Sequence, residues 1–241
     1  MSGMLVVSAH AADFVWRGGG AIAAATERGE RPVVVCLSEG ARGESAHLWR
    51  QGKELDEVVA TRREEASRAA DVLGAEIEFL GAEDYPLRVD ADLVDRLVAV
   101  YRRVQPDVVL THAAKDPYNF DHPEAHQAAL RARVYAQAIG YPADGDVIGA
   151  PPVFAFEPHQ PEQCDFKPDV LLDITAVFER KREAMECMAA QQHLWEYYTD
   201  LARRRGTQAR RNSGPNLGLA KESYAEAFER LYPQVVTEVL Q

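Results

Sequence analysis

Short apolar runs that end in polar side chains alternate along this chain with longer stretches whose apolar residues recur every three or four positions. Residues 4–8 carry β-branched valines and are too few for a helix, so they predict a buried strand that delivers His10 and Asp13 to its carboxyl end. Residues 32–38 repeat the pattern and run into a polar loop, 39–45. An amphipathic helix is expected over much of 52–73, with Leu55, Val58, Val59, Ala66, Ala69, Ala70 and Leu73 near one face and Gly74 as its stop. Residues 76–80 predict a third strand, 91–104 a helix with Leu93, Leu97 and Val100 inward, and 107–111 a fourth strand. This rhythm implies right-handed crossovers and an α/β fold, a Rossmann-like three-layer sandwich with a mostly parallel central sheet.

Beyond Thr111 lies a polar loop, 112–122, and then Pro123 opens a helix expected to reach about Ile139. Residues 151–156 and 170–174 predict two more strands, separated by the proline-punctuated loop 157–162 that carries His159, and 177–198 reads as helical. The last forty residues, from Arg203 on, mix charge, glycine and proline and predict no definite element. The chain is thus read as a single domain, 1–241, whose C-terminal part is an extension. Gly18, Gly19 and Gly20 do not make the G-x-G-x-x-G turn of a dinucleotide site, and are read as letting a helix over 21–28 pack closely on the sheet.

Composition narrows the partners. With 241 residues, 46% of them hydrophobic, the chain can bury one sizeable core, and no apolar run approaches a membrane span. The start leads straight into a strand with no basic and apolar leader, which favours the cytoplasm over secretion. Three cysteines, Cys36, Cys164 and Cys187, lack any C-x-x-C spacing, against both a disulfide framework and a cysteine zinc site. A net charge of −11 disfavours nucleic acid, and the clusters Arg203 to Arg205 and Arg210, Arg211 are read as a solvated helix end and loop.

An imidazole and a carboxylate three residues apart, His10 and Asp13, form a ligand pair suited to zinc or a similar divalent ion. A helix-capping Asp beside a hydrogen-bonded His would give the same letters. The balance shifts because His112, His122 and His126 fall at the end of another predicted strand, where ligands of open α/β sheets gather.

Ala9-His-Ala-Ala-Asp13 followed by Gly18-Gly19, Pro106-Asp-Val-Val-Leu-Thr-His112, Asp121-His-Pro-Glu-Ala-His126 and Tyr224-Ala-Glu-Ala-Phe228 together resemble the LmbE-like (PIG-L) superfamily. Its best-known members are zinc-dependent deacetylases of N-acetylated sugars with the signature Ala-His-Pro-Asp-Asp. The resemblance implies Zn2+ held by His10, Asp13 and His126, with His122, four residues earlier on the same helix face, a second candidate assigned to catalysis. It also implies a homo-oligomer. The deacetylases' base is the first Asp of their signature, and here that position is Ala12, with Ala11 in place of the proline. Losing such a base costs about 10²–10⁴-fold in rate.

That change, with Arg42-Gly-Glu-Ser45, Lys115-Asp-Pro-Tyr-Asn119, Phe156-Glu-Pro-His-Gln-Pro-Glu-Gln-Cys164 and His193-Leu-Trp-Glu-Tyr-Tyr198, resembles one divergent branch of the superfamily. Its members hydrate 4-oxalomesaconate in gallate degradation. The partner then implied is a small tricarboxylate, with neither nucleic acid nor membrane. Glu44 and His159 are the candidate acid and base, and Arg17, Arg42, Lys115 and Asn119, with Tyr118 nearby, the candidate substrate-binding groups. Two alternatives remain: a deacetylase whose base has moved, for example to Glu44, and a non-catalytic binding protein.

Overall fold

The computed structural model describes residues 3–213 and 217–235. Its centre is a seven-stranded sheet built from β1 (Met4–Ser8), β2 (Val33–Ser38), β3 (Glu76–Ala82), β4 (Val108–Thr111), β5 (Val153–Phe156), β6 (Val170–Asp173) and β7 (Ala225–Arg230). The strands lie in the order β3-β2-β1-β4-β5-β7-β6. The first five are parallel, and β7 runs antiparallel to both of its neighbours. Every residue of β1 and β2 is buried, which is why these strands read as unbroken apolar runs rather than alternating ones.

Helices cover both faces. On one side α1 (Asp13–Glu27), α3 (Leu55–Leu73), α6 (Phe178–Glu186) and α7 (Trp195–Ser213) enclose Phe14, Ile22, Leu73, Met185 and Tyr198. On the other, α4 (Ala91–Val104) and α5 (Asp121–Ala136) close over Leu97, Tyr101, Ala125 and Ala129. A short α2 (Ala46–Arg50) follows β2. Gly74 ends α3 in the left-handed conformation, φ 76°, as expected. The chain winds outward from β1 to β3, then returns to lay β4 on the other side of β1, so the loops after β1 and β4 part and leave a crevice at the strand ends. Among the described residues, no helix is long and apolar enough to cross a membrane.

Three elements differ from expectation. Helix α1 begins at Asp13 and runs through all three glycines instead of starting at Ala21. A Cβ on Gly20 would sit 2.7 Å from the Ile174 side chain, so any larger residue here must displace that side chain. At that point two buried side chains join the helix backbone: Glu226 of β7 accepts the N–H groups of Gly20 and Ala21 at 2.7 and 2.8 Å. Lys181 donates to the Trp16 carbonyl at 2.9 Å and pairs with Glu226 at 2.6 Å.

The helix expected over 177–198 is instead α6, a 3-10 segment Ala189–Leu194, and α7. The break is held from α3, whose inner face carries a buried Arg62 and Glu65 as well as its apolar residues. Glu65 accepts the Ala190 N–H at 2.8 Å, while Arg62 donates to Glu65 at 2.7 Å and to the Gln191 side chain at 2.9 Å.

The C-terminal part is no extension: α7 continues to Ser213, and β7 is inserted inside the sheet between β5 and β6. Residues 214–216 and 236–241 of that stretch lie outside the described residues. Arg205 is not solvated either, because its guanidinium grips the buried Glu157 carboxylate, with Nε to Oε2 at 2.9 Å.

Candidate active site and metal centre

Three loops at the carboxyl ends of β1, β2 and β4 meet at the crevice. The turn after β1 supplies His10 and, as the first residue of α1, Asp13; the His10 N–H donates to the Asp13 carboxylate at 2.9 Å and fixes their separation. The loop after β2 supplies Glu44, and the second residue of α5 is His122. One ligand atom from each of these four lies within 4.8 Å of every other. His10 Nδ1 is 3.2 Å from Asp13 Oδ2 and 3.2 Å from Glu44 Oε1, and His122 Nε2 is 3.4 Å from Asp13 Oδ1.

Each histidine is aimed by a carboxylate behind it. Asp121 Oδ2 lies 3.0 Å from His10 Nε2, and Asp116 Oδ2 lies 2.8 Å from His122 Nδ1. Asp121 is itself anchored by the N–H groups of Tyr85 and Leu87, at 2.9 and 2.8 Å. Such backing fixes the tautomer and turns the opposite nitrogen toward the crevice. Those two nitrogens, His10 Nδ1 and His122 Nε2, are buried and have no hydrogen-bond partner among the described residues; Glu44 Oε2 is likewise unpartnered. Unpaired buried lone pairs facing a carboxylate are costly unless a cation fills the space between them. Two imidazoles and a carboxylate are a donor set that suits zinc, so the residues fit the ion that the resemblance implies.

The clustered groups also shift one another's titration. Burial alone would lower the pKa of His10, but the carboxylates of Glu44, Asp121 and Asp13 outweigh it and hold the imidazole well above its usual value. Burial would raise the Asp13 carboxyl, yet the imidazoles of His122, His112 and His10 hold it well below the ordinary range. Glu44, pushed up by burial and down by His10, also ends below the usual carboxylate value.

The third ligand implied by resemblance was His126; the group that converges contains His122 in its place. His126 lies one turn deeper in α5, and its Nδ1 is engaged with the His112 carbonyl at 2.7 Å. His112 stays behind Asp13, because its Nε2 accepts the Ala9 N–H at 2.9 Å. Burial and the neighbouring His122 take its pKa down to about 3. Ala11 and Ala12 are fully buried among the core residues of the α1 side, and the methyl at position 12 offers no proton acceptor.

Around the centre, Asn119 donates from its amide to Glu44 Oε1 at 3.4 Å. Arg17 Nε is 3.5 Å from Asp13 Oδ1, and its Nη1 donates to the Glu157 carbonyl at 3.3 Å. His159, on the loop after β5, stacks on Tyr197 with ring centres 4.2 Å apart, and its Nδ1 lies 3.5 Å from the Tyr198 hydroxyl. Burial, then the charge of Arg17, lower its pKa, with Asp116, His193 and Glu44 also close enough to act on it.

Arg42 and Lys115 are not brought to this group. Arg42 pairs with Glu83 at 2.9 Å and Lys115 with Asp165 at 2.5 Å, each at an exposed surface position. Tyr118 is exposed. A cleft of about 800 Å³ opens above Glu44, lined among others by His47, Arg50, Tyr85, Gln192 and His193. Sequence reasoning missed Asp116 and Asp121 as the groups that aim the histidines. The available signal was an Asp immediately before His122 and another in the same loop.

The family model described as GlcNAc-PI de-N-acetylase, PIG-L, matches residues 5–133. A 4-oxalmesaconate hydratase of Pseudomonas putida KT2440 is 56% identical over 232 residues, which are 96% of this chain and 90% of that one. The crystal structure of GalB, the 4-carboxy-2-hydroxymuconate hydratase from Pseudomonas putida KT2440, matches with a TM-score of 0.95 at 55% identity, covering 99% of this chain and 100% of that chain. N,N'-diacetylchitobiose deacetylase from Pyrococcus horikoshii shares the fold, with a TM-score of 0.75 at 23% identity over 95% of this chain and 84% of that chain.

Proposed function

The chain belongs to the GlcNAc-PI de-N-acetylase (PIG-L) family, and from that membership, the hydratase relatives and the geometry of the crevice we propose that it is a hydratase that adds water to 4-oxalomesaconate, giving 4-carboxy-4-hydroxy-2-oxoadipate. The observation that carries this reading over amide hydrolysis is the pair Ala12 and Glu44. A buried methyl stands where the deacetylase signature has its base, while Glu44 alone of the four converging residues lines the open cleft.

Hydration forms a bond from the water oxygen to the carboxylate-bearing carbon of the double bond, moves the π pair toward the conjugated carbonyl, and places a proton on the other carbon. His10, Asp13 and His122 would hold a divalent ion, zinc by donor type, which when bound supplies Lewis acidity to water and to carbonyl charge. Glu44, held in its ionised form, takes the proton from water. Asn119 restrains that carboxylate through its amide. His159, oriented by Tyr197 and Tyr198, handles the proton at carbon. Arg17 holds Asp13 and the Glu157 backbone in place and keeps positive charge near the substrate. The reading sets this chemistry in a reducing cytoplasm, in keeping with three free thiols.

The test is proton NMR of the metal-loaded protein with 4-oxalomesaconate, beside a chelated sample and Glu44→Gln. Product from the wild type alone, with Glu44→Gln retaining its metal and losing about 10²–10⁴-fold in turnover, is the expected result. A fully active Glu44→Gln would remove Glu44 from its assigned role.

A further inference from the structure

A substrate with three carboxylates approaches a protein of net charge −11, so the site must offer local cations. Two of the expected ones, Arg42 and Lys115, are already spent on surface carboxylates, and Arg17 is folded against Asp13 at the inner wall. The cleft above Glu44 supplies another. Arg50 is the sole Arg or Lys among its lining residues, and it has neither an ion-pair nor a hydrogen-bond partner among the described residues.

Arg50 is tied to the catalytic loop. It ends α2, which begins two residues after Glu44, and that short helix is fastened back onto the loop by Ser45 Oγ donating to the Gly40 carbonyl at 3.0 Å and Trp49 Nε1 donating to the Ala41 carbonyl at 2.7 Å. The facing wall, which carries Gln192 and His193, is pinned from behind by the buried Arg62 and Glu65. The cleft therefore has two braced walls, with the metal group at its inner end and a free guanidinium farther out. Glu44 is the only carboxylate in its lining, which leaves the outer part positive.

We propose that Arg50 is the specificity-determining anchor for a carboxylate of the substrate remote from the reacting carbons, gripping it through two parallel hydrogen bonds across the cleft from His193. The proposal rests on the hydratase reading for the identity of the substrate. A planar fork matches a carboxylate in a way that an ammonium does not, so Lys at this position is a partial substitute.

Two measurements test it on the metal-loaded full chain, with bound metal quantified in every variant. In steady-state hydration of 4-oxalomesaconate, Arg50→Gln should raise KM about 10–100-fold with a far smaller change in kcat, and Arg50→Lys should fall between, because a remote contact binds ground and transition states alike. In calorimetry, propane-1,2,3-tricarboxylate should bind the wild type more tightly than glutarate does, and Arg50→Gln should close that gap. A wild-type KM in Arg50→Gln, or an unchanged preference for the triacid, overturns the anchor. If the wild type does not hydrate 4-oxalomesaconate, the hydratase reading falls, and the calorimetric comparison alone decides whether Arg50 is a carboxylate site.

Discussion

At the scale of single residues, the choice between His122 and His126 is the sharpest consequence of the geometry. Four residues apart on a helix, both lie on one face, so spacing alone could not separate them. What separates them is their partners: Asp116 turns the Nε2 of His122 to Asp13, while the Nδ1 of His126 faces the His112 carbonyl. His122→Ala should therefore lose bound zinc in elemental analysis, whereas His126→Ala should retain it; the reverse result would restore the ligand implied by resemblance. Asp116→Asn should lower zinc affinity about 10–100-fold, read by competition with a chelating dye, because it removes only the group that orients the ligand. His10 and Asp13 were legible in the sequence because they follow directly on a clear apolar strand, and Glu44 because it lies in the polar loop after another. Asp116 and Asp121 were not, since a loop Asp that backs a histidine and one that caps a helix have the same local sequence.

At the scale of elements, the strand and helix order of the first 111 residues was readable apart from the short α2, because strands such as β1 and β2, buried on both faces, are unbroken apolar runs. The pattern failed where charge is buried. β7, Ala-Glu-Ala-Phe-Glu-Arg, reads as polar, yet Glu226 is enclosed against Lys181 and the backbone of α1. Arg62 and Glu65 likewise gave α3 a polar look on its inner side and broke the helix expected over 177–198 by claiming Ala190 and Gln191. Close backbone approach is a second hidden constraint. A Cβ on Gly206 of α7 would lie 1.8 Å from the Ser223 carbonyl oxygen, where only backbone can yield, while the same change at Gly20 meets mainly the movable side chain of Ile174. Gly20→Ala should cost about 1–3 kcal/mol in urea unfolding, the range of core overpacking, and Gly206→Ala should cost more. Equal costs would show that β7 and its approach can shift freely.

At the scale of the whole molecule, the candidate metal centre sits where the loops after β1, β2 and β4 converge, so an ion held by His10, Asp13 and His122 would tie β1 and β4 together at their carboxyl ends. An ion that binds only the folded chain stabilises it by mass action, about 4 kcal/mol at a thousandfold excess over Kd. Chelation should lower the thermal midpoint, and the gap between loaded and chelated protein should shrink as pH falls, because protons compete for the imidazole lone pairs that hold the metal. A gap that is absent, or that widens in acid, would contradict the assigned ligands. The insertion of β7 was the feature least visible from the sequence as a whole, since its neighbours β5 and β6 are made long before it.

That order of manufacture matters during synthesis. When the ribosome has released residues up to the end of α7, strands β5 and β6 have been made but cannot complete the sheet, for the strand that belongs between them has not yet appeared. The nascent protein must carry two waiting strand edges, with the Gly20 region of α1 still lacking its carboxylate partner. Unpaired edges of this kind are templates for pairing with other chains, so the interval before β7 emerges exposes the chain to aggregation.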